Sequence, residues 1–310
     1  MGGVAIFLGG GISLIMCLSF DEWVSLRFFF IAISLMFLIG LRDDILALTP
    51  KQKLYSQFLP VLILVFLGQS RLSTTYGLFG DYLFPEWAGI AISVFVLIIL
   101  TNAYNLIDGL DGLAGSIGII ILGFYGTWFY LAGNETLGYI AFCFGGSLLA
   151  FLFFNWQPSK IFMGDTGALM IGLLISYLTI QFIKTNHQLP DLLAYKFTSS
   201  AATAICVIII PVFDTLRVII IRLRKWQSPF RADRNHIHHQ FLNLGFSHAK
   251  SVLLISFISI FFLGIAVLLR NQGDILILTI VLVVCLIINY ALKMAQKKPM
   301  INNGTADKVN

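Results

Sequence analysis

The chain is built of long unbroken apolar runs separated by short polar connections. It lacks the every-second-residue alternation of a half-buried strand. Ten runs stand out, at residues 4–20, 26–41, 54–69, 88–107, 113–132, 137–154, 166–183, 199–223, 251–269 and 274–292. A helix needs about 20 apolar residues to cross the hydrocarbon core, with a range of about 17–25. The second and third runs are short, which implies borrowed flanking residues or a thinned bilayer. The pattern predicts an all-α fold, a polytopic membrane helix bundle of about ten transmembrane helices. Residues 1–292 form one membrane-embedded domain, and 293–310 a polar tail expected to be disordered. The first run has no basic n-region and no convincing small-residue cleavage site, so it reads as a span and not a signal peptide.

Composition supports this reading. Of 310 residues, 58% are hydrophobic and 11% charged, with a mean hydropathy of +0.90. A soluble globule carries about 25% charged residues, so a soluble enzyme, a disulfide scaffold and a disordered chain are excluded. Cys17, Cys143, Cys206 and Cys285 each lie in an apolar run without metal-ligand spacing and read as small core residues. The net charge of +5 and pI near 9.0 do not call for nucleic acid. With alternating spans, most of the Lys and Arg residues fall on the side of loops 42–53, 108–112, 155–165 and 222–250 and the C-terminal tail. The other side holds Arg27, Arg71, Lys184, Lys196 and Arg270. The basic side is expected to be cytoplasmic.

The unusual polar residues converge on that same side. Asp43 and Asp44 close the second run, Asn105, Asp108 and Asp111 follow the fourth, and Asp165 opens the seventh. His236, His238 and His239 lie in the long loop after the eighth. Acids at membrane helix ends are costly unless paired, hydrated or used. Asp43-Asp44 beside Arg42 suits either a divalent cation or a solvated helix end, and the dipeptide alone does not choose. In Asn105-Leu106-Ile107-Asp108-Gly109-Leu110-Asp111-Gly112, a helical backbone would put Asp108 and Asp111 on one face, and the glycines would let a ligand approach. A tight turn with one Asp as a helix cap explains part of this arrangement but not all of it. Asp165 alone would read as a cap. Together with the other loop acids it meets the usual need of Mg2+ for one or two carboxylates plus phosphate oxygens. Arg231 and Arg234 suit phosphate oxygens or anionic lipid, and the histidines fit zinc less well because no Cys accompanies them. Asp214 and Arg217, at i and i+3, are expected to pair inside the bundle.

These motifs, together with Leu48-Thr49-Pro50, Lys53-Leu54, Gln57, Phe162-Met163-Gly164-Asp165, Pro211-Val212-Phe213-Asp214-Thr215 and His236-Ile237-His238-His239, stand in one order over residues 41–239. In this the chain resembles the polyprenyl-phosphate N-acetylhexosamine-1-phosphate transferases. The context of the histidine loop resembles the branch acting on UDP-N-acetylglucosamine. The resemblance implies transfer of a sugar-1-phosphate from a UDP-sugar to polyprenyl phosphate with release of UMP, as a first membrane step of cell-envelope glycan synthesis. It implies Mg2+, with Mn2+ as a substitute, held by Asp165 and Asp44. Asp43, Asp44, Asp108, Asp111, His238 and His239 are implied as catalytic, and Lys53, Asn105, Phe162, Arg231, Arg234 and His236 as substrate-binding. It further implies a bacterial cytoplasmic membrane setting, an active site facing the cytoplasm, a homodimer, and a further span upstream of a motif whose tail Met1-Gly2-Gly3 resembles. An ion-coupled transporter is the rival class, but its ionisable groups belong near the midplane, where only Asp214 and Arg217 are candidates. An inactive shortened member of the family is the other rival.

A phosphomonoester has a second pKa of about 6, so a polyprenyl phosphate acceptor is already mostly dianionic at neutral pH and needs no general base. Asp43→Asn is therefore expected to lower the rate through metal or substrate positioning. A pH–rate profile in which alkaline pH restores the variant's rate would refute this.

Overall fold

The computed structural model describes residues 2–226 and 236–297. Twelve helices occupy these residues, and no strand longer than an isolated bridge occurs among them. They are α1 (Gly2–Cys17), α2 (Phe20–Ile45), α3 (Pro50–Leu62), α4 (Glu86–Ile107), α5 (Leu113–Leu131) and α6 (Glu135–Asn155). Then follow α7 (Gly164–Gln188), α8 (Ser200–Val207), α9 (Ile209–Arg224), α10 (Ile237–Asn243), α11 (His248–Leu268) and α12 (Asp274–Lys297).

All ten apolar runs are helical, but they are not ten equal spans. Among the described residues seven helices are long and apolar enough to cross a membrane, and α8 with α9 makes an eighth if the bent pair counts as one. The helix α1 has 16 residues and is shorter than each of those seven. The second run extends at both ends into α2 because Ser19 and Glu22 form a capping box that starts the helix in polar sequence. The third run is α3, started by a Thr49–Gln52 capping box with Pro50 in its first turn, and it continues into a π turn at Ile63–Leu67. The eighth run breaks at Ile208 with a bend of 82°. Pro211 supplies the reason, since its ring excludes a straight continuation past the carbonyl of Val207, four residues earlier.

The helix α7 is the axis of the bundle, with 89% of its apolar stretch buried. It packs against α1, α2, α4, α5 and α8. Hydroxyls within it bond to its own backbone, Ser176 to Gly172 and Thr179 to Ile175, so its polar groups are satisfied without water. Tyr125 reaches Thr179 at 2.9 Å, and Tyr104 donates to the Ala114 carbonyl at 2.7 Å. At the end remote from Asp165, Lys184 donates to the Gln69 carbonyl at 2.7 Å and Trp128 to the Tyr195 carbonyl at 2.9 Å. Lys184 therefore lies opposite Asp165, as the division of basic residues in the sequence predicts. Two of the four cysteines, Cys206 and Cys285, are core residues; Cys143 is half-buried and Cys17 is exposed.

Gly172 lies where α7 meets α4, and a Cβ there would come within 2.7 Å of the Thr101 carbonyl oxygen. Gly172→Val should cost about 1–3 kcal/mol by overpacking, measured as a lower Tm in detergent. Gly146→Val, at a position with open space around it, is the matched control.

Candidate active site

The C-terminal ends of α2 and α4, the start of α3 and the N-terminal end of α7 meet at one end of the bundle. There Lys53 of α3 lies between two carboxylates. Its Nζ stands 3.0 Å from Asp43 Oδ2 and also donates to Asp165 Oδ1. Asn105 Nδ2 donates to the same Asp165 oxygen at 2.7 Å. Asp43 is buried, and its other oxygen accepts the Leu48 N–H at 2.7 Å, which folds the connection to α3 back onto α2. One turn deeper, Gln57 and Asn102 exchange amide hydrogen bonds of 2.7 and 3.3 Å, setting α3 against α4. Gln57 is fully buried, so this pairing satisfies groups that have no water to turn to.

Asp44 points the other way along the same helix end. Its Oδ1 accepts the Asp165 N–H at 2.8 Å, and its Oδ2 accepts the Thr166 N–H at 3.0 Å and the Thr166 hydroxyl. Asp165 is therefore not itself the cap of α7, and its carboxylate is free to face Lys53 and Asn105.

Asp108 and Asp111 do not lie on a helix face as the spacing suggested. Residues 108–112 form consecutive turns between α4 and α5. Nor does either acid cap α5, whose N-cap position is Gly112 at φ 81° with no side-chain bond. Asn155 Oδ1 accepts the Gly112 N–H at 2.8 Å and Asn155 Nδ2 donates to the Ile161 carbonyl at 2.8 Å, so one amide joins this turn to the segment before α7. The Asp108 carboxyl is pushed up to about 8, first by burial and then by the charges of Asp165, Asp44 and Asp111.

The histidines reach the same place. A Cβ on Gly109 would lie 2.8 Å from His238 Nε2, so the missing side chain is what admits the imidazole. The His236 and His238 rings are near-parallel with centroids 5.8 Å apart, and the centroids of His238 and His239 lie 4.3 Å apart. Burial first, and then His239, push His238 down to about 4, so at neutral pH it is an uncharged imidazole. Asp214 does more than pair with Arg217, whose Nη2 is 3.4 Å away. Its Oδ2 accepts from His236 Nδ1 at 2.9 Å and its Oδ1 from the Ile237 N–H at 2.7 Å, which anchors the start of α10 to α9. This ties Asp214 to the histidines and not to a midplane ion path.

Of the expected residues, Asp43, Asp44, Lys53, Asn105, Asp108, Asp111 and Asp165 converge, with His236, His238 and His239 beside them. The Phe162 ring is exposed at the segment before α7. Arg231 and Arg234 lie outside the described residues. The sequence did not single out Asn102, Asn155 or Thr166. An amide within or at the end of an apolar helix was the available signal, because such a group must find a buried partner.

Among the described residues no three His, Cys, Asp or Glu side chains converge closely enough to hold a metal ion unaided. The donor chemistry still fits a hard cation that draws its remaining ligands from phosphate. Hard carboxylate oxygens cluster here, and an ammonium already occupies the position between Asp43 and Asp165.

A family model described as glycosyl transferase family 4 matches residues 26–183, which include Asp43, Asp44, Asp108, Asp111, Asp165 and Lys53. A probable undecaprenyl-phosphate N-acetylglucosaminyl 1-phosphate transferase of Bacillus subtilis is 31% identical over 273 residues, covering 87% of this chain and 73% of that protein. A decaprenyl-phosphate N-acetylglucosaminephosphotransferase of Mycolicibacterium smegmatis is 30% identical over 276 residues, 82% of this chain and 68% of the relative. An undecaprenyl-phosphate alpha-N-acetylglucosaminyl 1-phosphate transferase of Escherichia coli K12 is 25% identical over 315 residues, 96% of this chain and 80% of the relative. The fold and site are those of a multi-pass membrane protein with a polar centre at its helix ends. The chain belongs to glycosyl transferase family 4.

The raised Asp108 value gives a sign for pH dependence. In metal-free protein the folded state holds a proton on Asp108 that the unfolded state, near 3.8, has released. That contribution to stability is complete below about 3.8 and is lost as pH rises to about 8. Thermal melts in chelator from pH 5 to 9 should show this loss, and Asp108→Asn should flatten it and be the more stable protein at pH 9.

Proposed function

We propose that this protein transfers N-acetylglucosamine-1-phosphate from UDP-N-acetylglucosamine to a polyprenyl phosphate, releasing UMP. The carrying observation is Lys53 held between Asp43 and Asp165, with Asn105 on the same Asp165 oxygen, at one end of the bundle. The names of the relatives support the sugar and the lipid. The bias of basic residues supports a cytoplasmic face for this end. That face would meet the soluble nucleotide sugar, while the polyprenyl tail stays in the bilayer.

In the reaction an acceptor phosphate oxygen attacks the β-phosphorus of the UDP-sugar. A new P–O bond forms, and the bond from that phosphorus to the oxygen shared with the α-phosphate breaks. That oxygen leaves on UMP, and the product is the polyprenyl diphosphate sugar. Both reactants are anionic, so the residues here act mainly by positioning and charge. Lys53 supplies a cation poised to move from carboxylate to phosphate oxygens as substrates enter. Asn105 donates to an incoming oxygen or steers Asp165. Asp43, engaged by Lys53 and the Leu48 N–H, positions Lys53 and is not needed as a base. His238, uncharged, offers a neutral hydrogen bond beside the Asp108–Gly109 turn. Phe162 presents an exposed ring for the uracil, and Arg231 and Arg234 suit diphosphate oxygens. Asp165, with Asp108 nearby, would hold Mg2+ or Mn2+, which neutralises the phosphate charge when bound.

Detergent-purified protein given UDP-N-acetylglucosamine, Mg2+ and polyprenyl phosphate should release UMP, and chelator should stop it. Lys53→Met and Asp165→Asn should each lower the rate at least 100-fold. UMP release that needs no polyprenyl phosphate, or none under any divalent cation, would count against the reading.

A further inference from the structure

We propose that Asp44 is a positioning residue, the N-terminal cap of α7 supplied from α2, and not a metal ligand. The proposal builds on the reading of Asp165 as the metal-holding carboxylate, and one arm of its test is independent of that reading.

A helix begins with backbone N–H groups that lack partners inside it. The residue in the N-cap position of α7 is Met163, in αR conformation and with no side-chain bond to the helix. A thioether is a weak acceptor for this purpose. Asp44 fills the gap from another helix, taking the Asp165 N–H, the Thr166 N–H and the Thr166 hydroxyl. Both of its oxygens are used, and its negative charge sits at the positive end of the α7 dipole.

Two glycines make the approach possible. Gly164 adopts φ 68°, and a Cβ there would lie 2.6 Å from Asp44 Oδ2. Gly40, one turn before Asp44 on α2, lies so close to α7 that a Cβ would come within 2.4 Å of the Asp165 carbonyl oxygen. The contact therefore fixes the backbone of Asp165 directly, while its carboxylate turns toward Lys53 and Asn105. Two adjacent acids thus divide the work, with Asp43 holding Lys53 and Asp44 holding Asp165.

The two roles predict opposite signs in metal-free protein. A carboxylate present only to bind a cation adds repulsion to Asp108 and Asp165 when the cation is removed, so its loss should leave Tm unchanged or raise it. A cap stabilises with or without metal. Purified Asp44→Ala and Asp44→Asn should melt about 2–4 °C below the parent in chelator, the shift expected from losing one helix cap. Unchanged or raised values for both would overturn the proposal.

The second arm separates positioning from plain stability by following the thermal shift on Mg2+ titration. Gly164→Ala keeps every carboxylate but disturbs the cap. It should raise the Mg2+ concentration for half-maximal shift several-fold, as Asp44→Asn should, and the double variant should be no worse than the poorer single. A parental Mg2+ response in Gly164→Ala beside a lost response in Asp44→Asn would return Asp44 to the metal. If the parent shows no Mg2+ shift, the metal reading fails and the melts in chelator still decide the cap.

Discussion

The site rests on one electrostatic constraint. Carboxylates from α2, from the turn after α4 and from α7 are brought to the same end of an apolar bundle, and such charges cannot gather without a counter-charge. Lys53 supplies it, bridging Asp43 and Asp165. Much of the local architecture follows from delivering that ammonium. A capping box starts α3 four residues before Lys53, and the Gln57–Asn102 amide pair sets the helix one turn deeper. At Asp108, burial and the neighbouring charges of Asp165, Asp44 and Asp111 push the carboxyl up to about 8.

The same economy governs the histidines. The break at Ile208 and Pro211 turns α9 away from the line of α8. Asp214 on α9 then holds His236 and the first N–H of α10, and His238 rests on Gly109. The buried carboxylates of Asp43 and Asp214 are thus each tied to a backbone N–H as well as to a cation. Burying a charge is tolerable only when hydrogen bonds and an opposite charge both compensate it.

Much of this was legible along the chain. Continuous apolar runs announced helices, and all ten are helical. The convergence of Asp43, Asp44, Asp108, Asp111 and Asp165 followed from hydropathy and the placement of Lys and Arg, because a bilayer allows a helix end only two sides to emerge on. Less legible were departures from regular geometry. Hydropathy misjudged the ends of α2, since capping residues are polar, and it read a single span through the 82° bend. A helical reading of Asp108 and Asp111 failed because Gly112, at φ 81°, lets the chain turn there instead.

The sequence by itself determined the membrane setting, the helices, the shared end for the acids and the family likeness, since these depend on local composition and on a solvent with two faces. It could not say which acid does what. Asp43 and Asp44 are neighbours in the chain and chemically identical, yet one faces Lys53 and the other the first N–H groups of α7. Only the packing of α2 against α3 and α7 sets that difference, because a side chain's role depends on which donors lie within hydrogen-bond reach: those of Asp43 come from Leu48 and Lys53 close by in the chain, those of Asp44 from residues more than a hundred positions away.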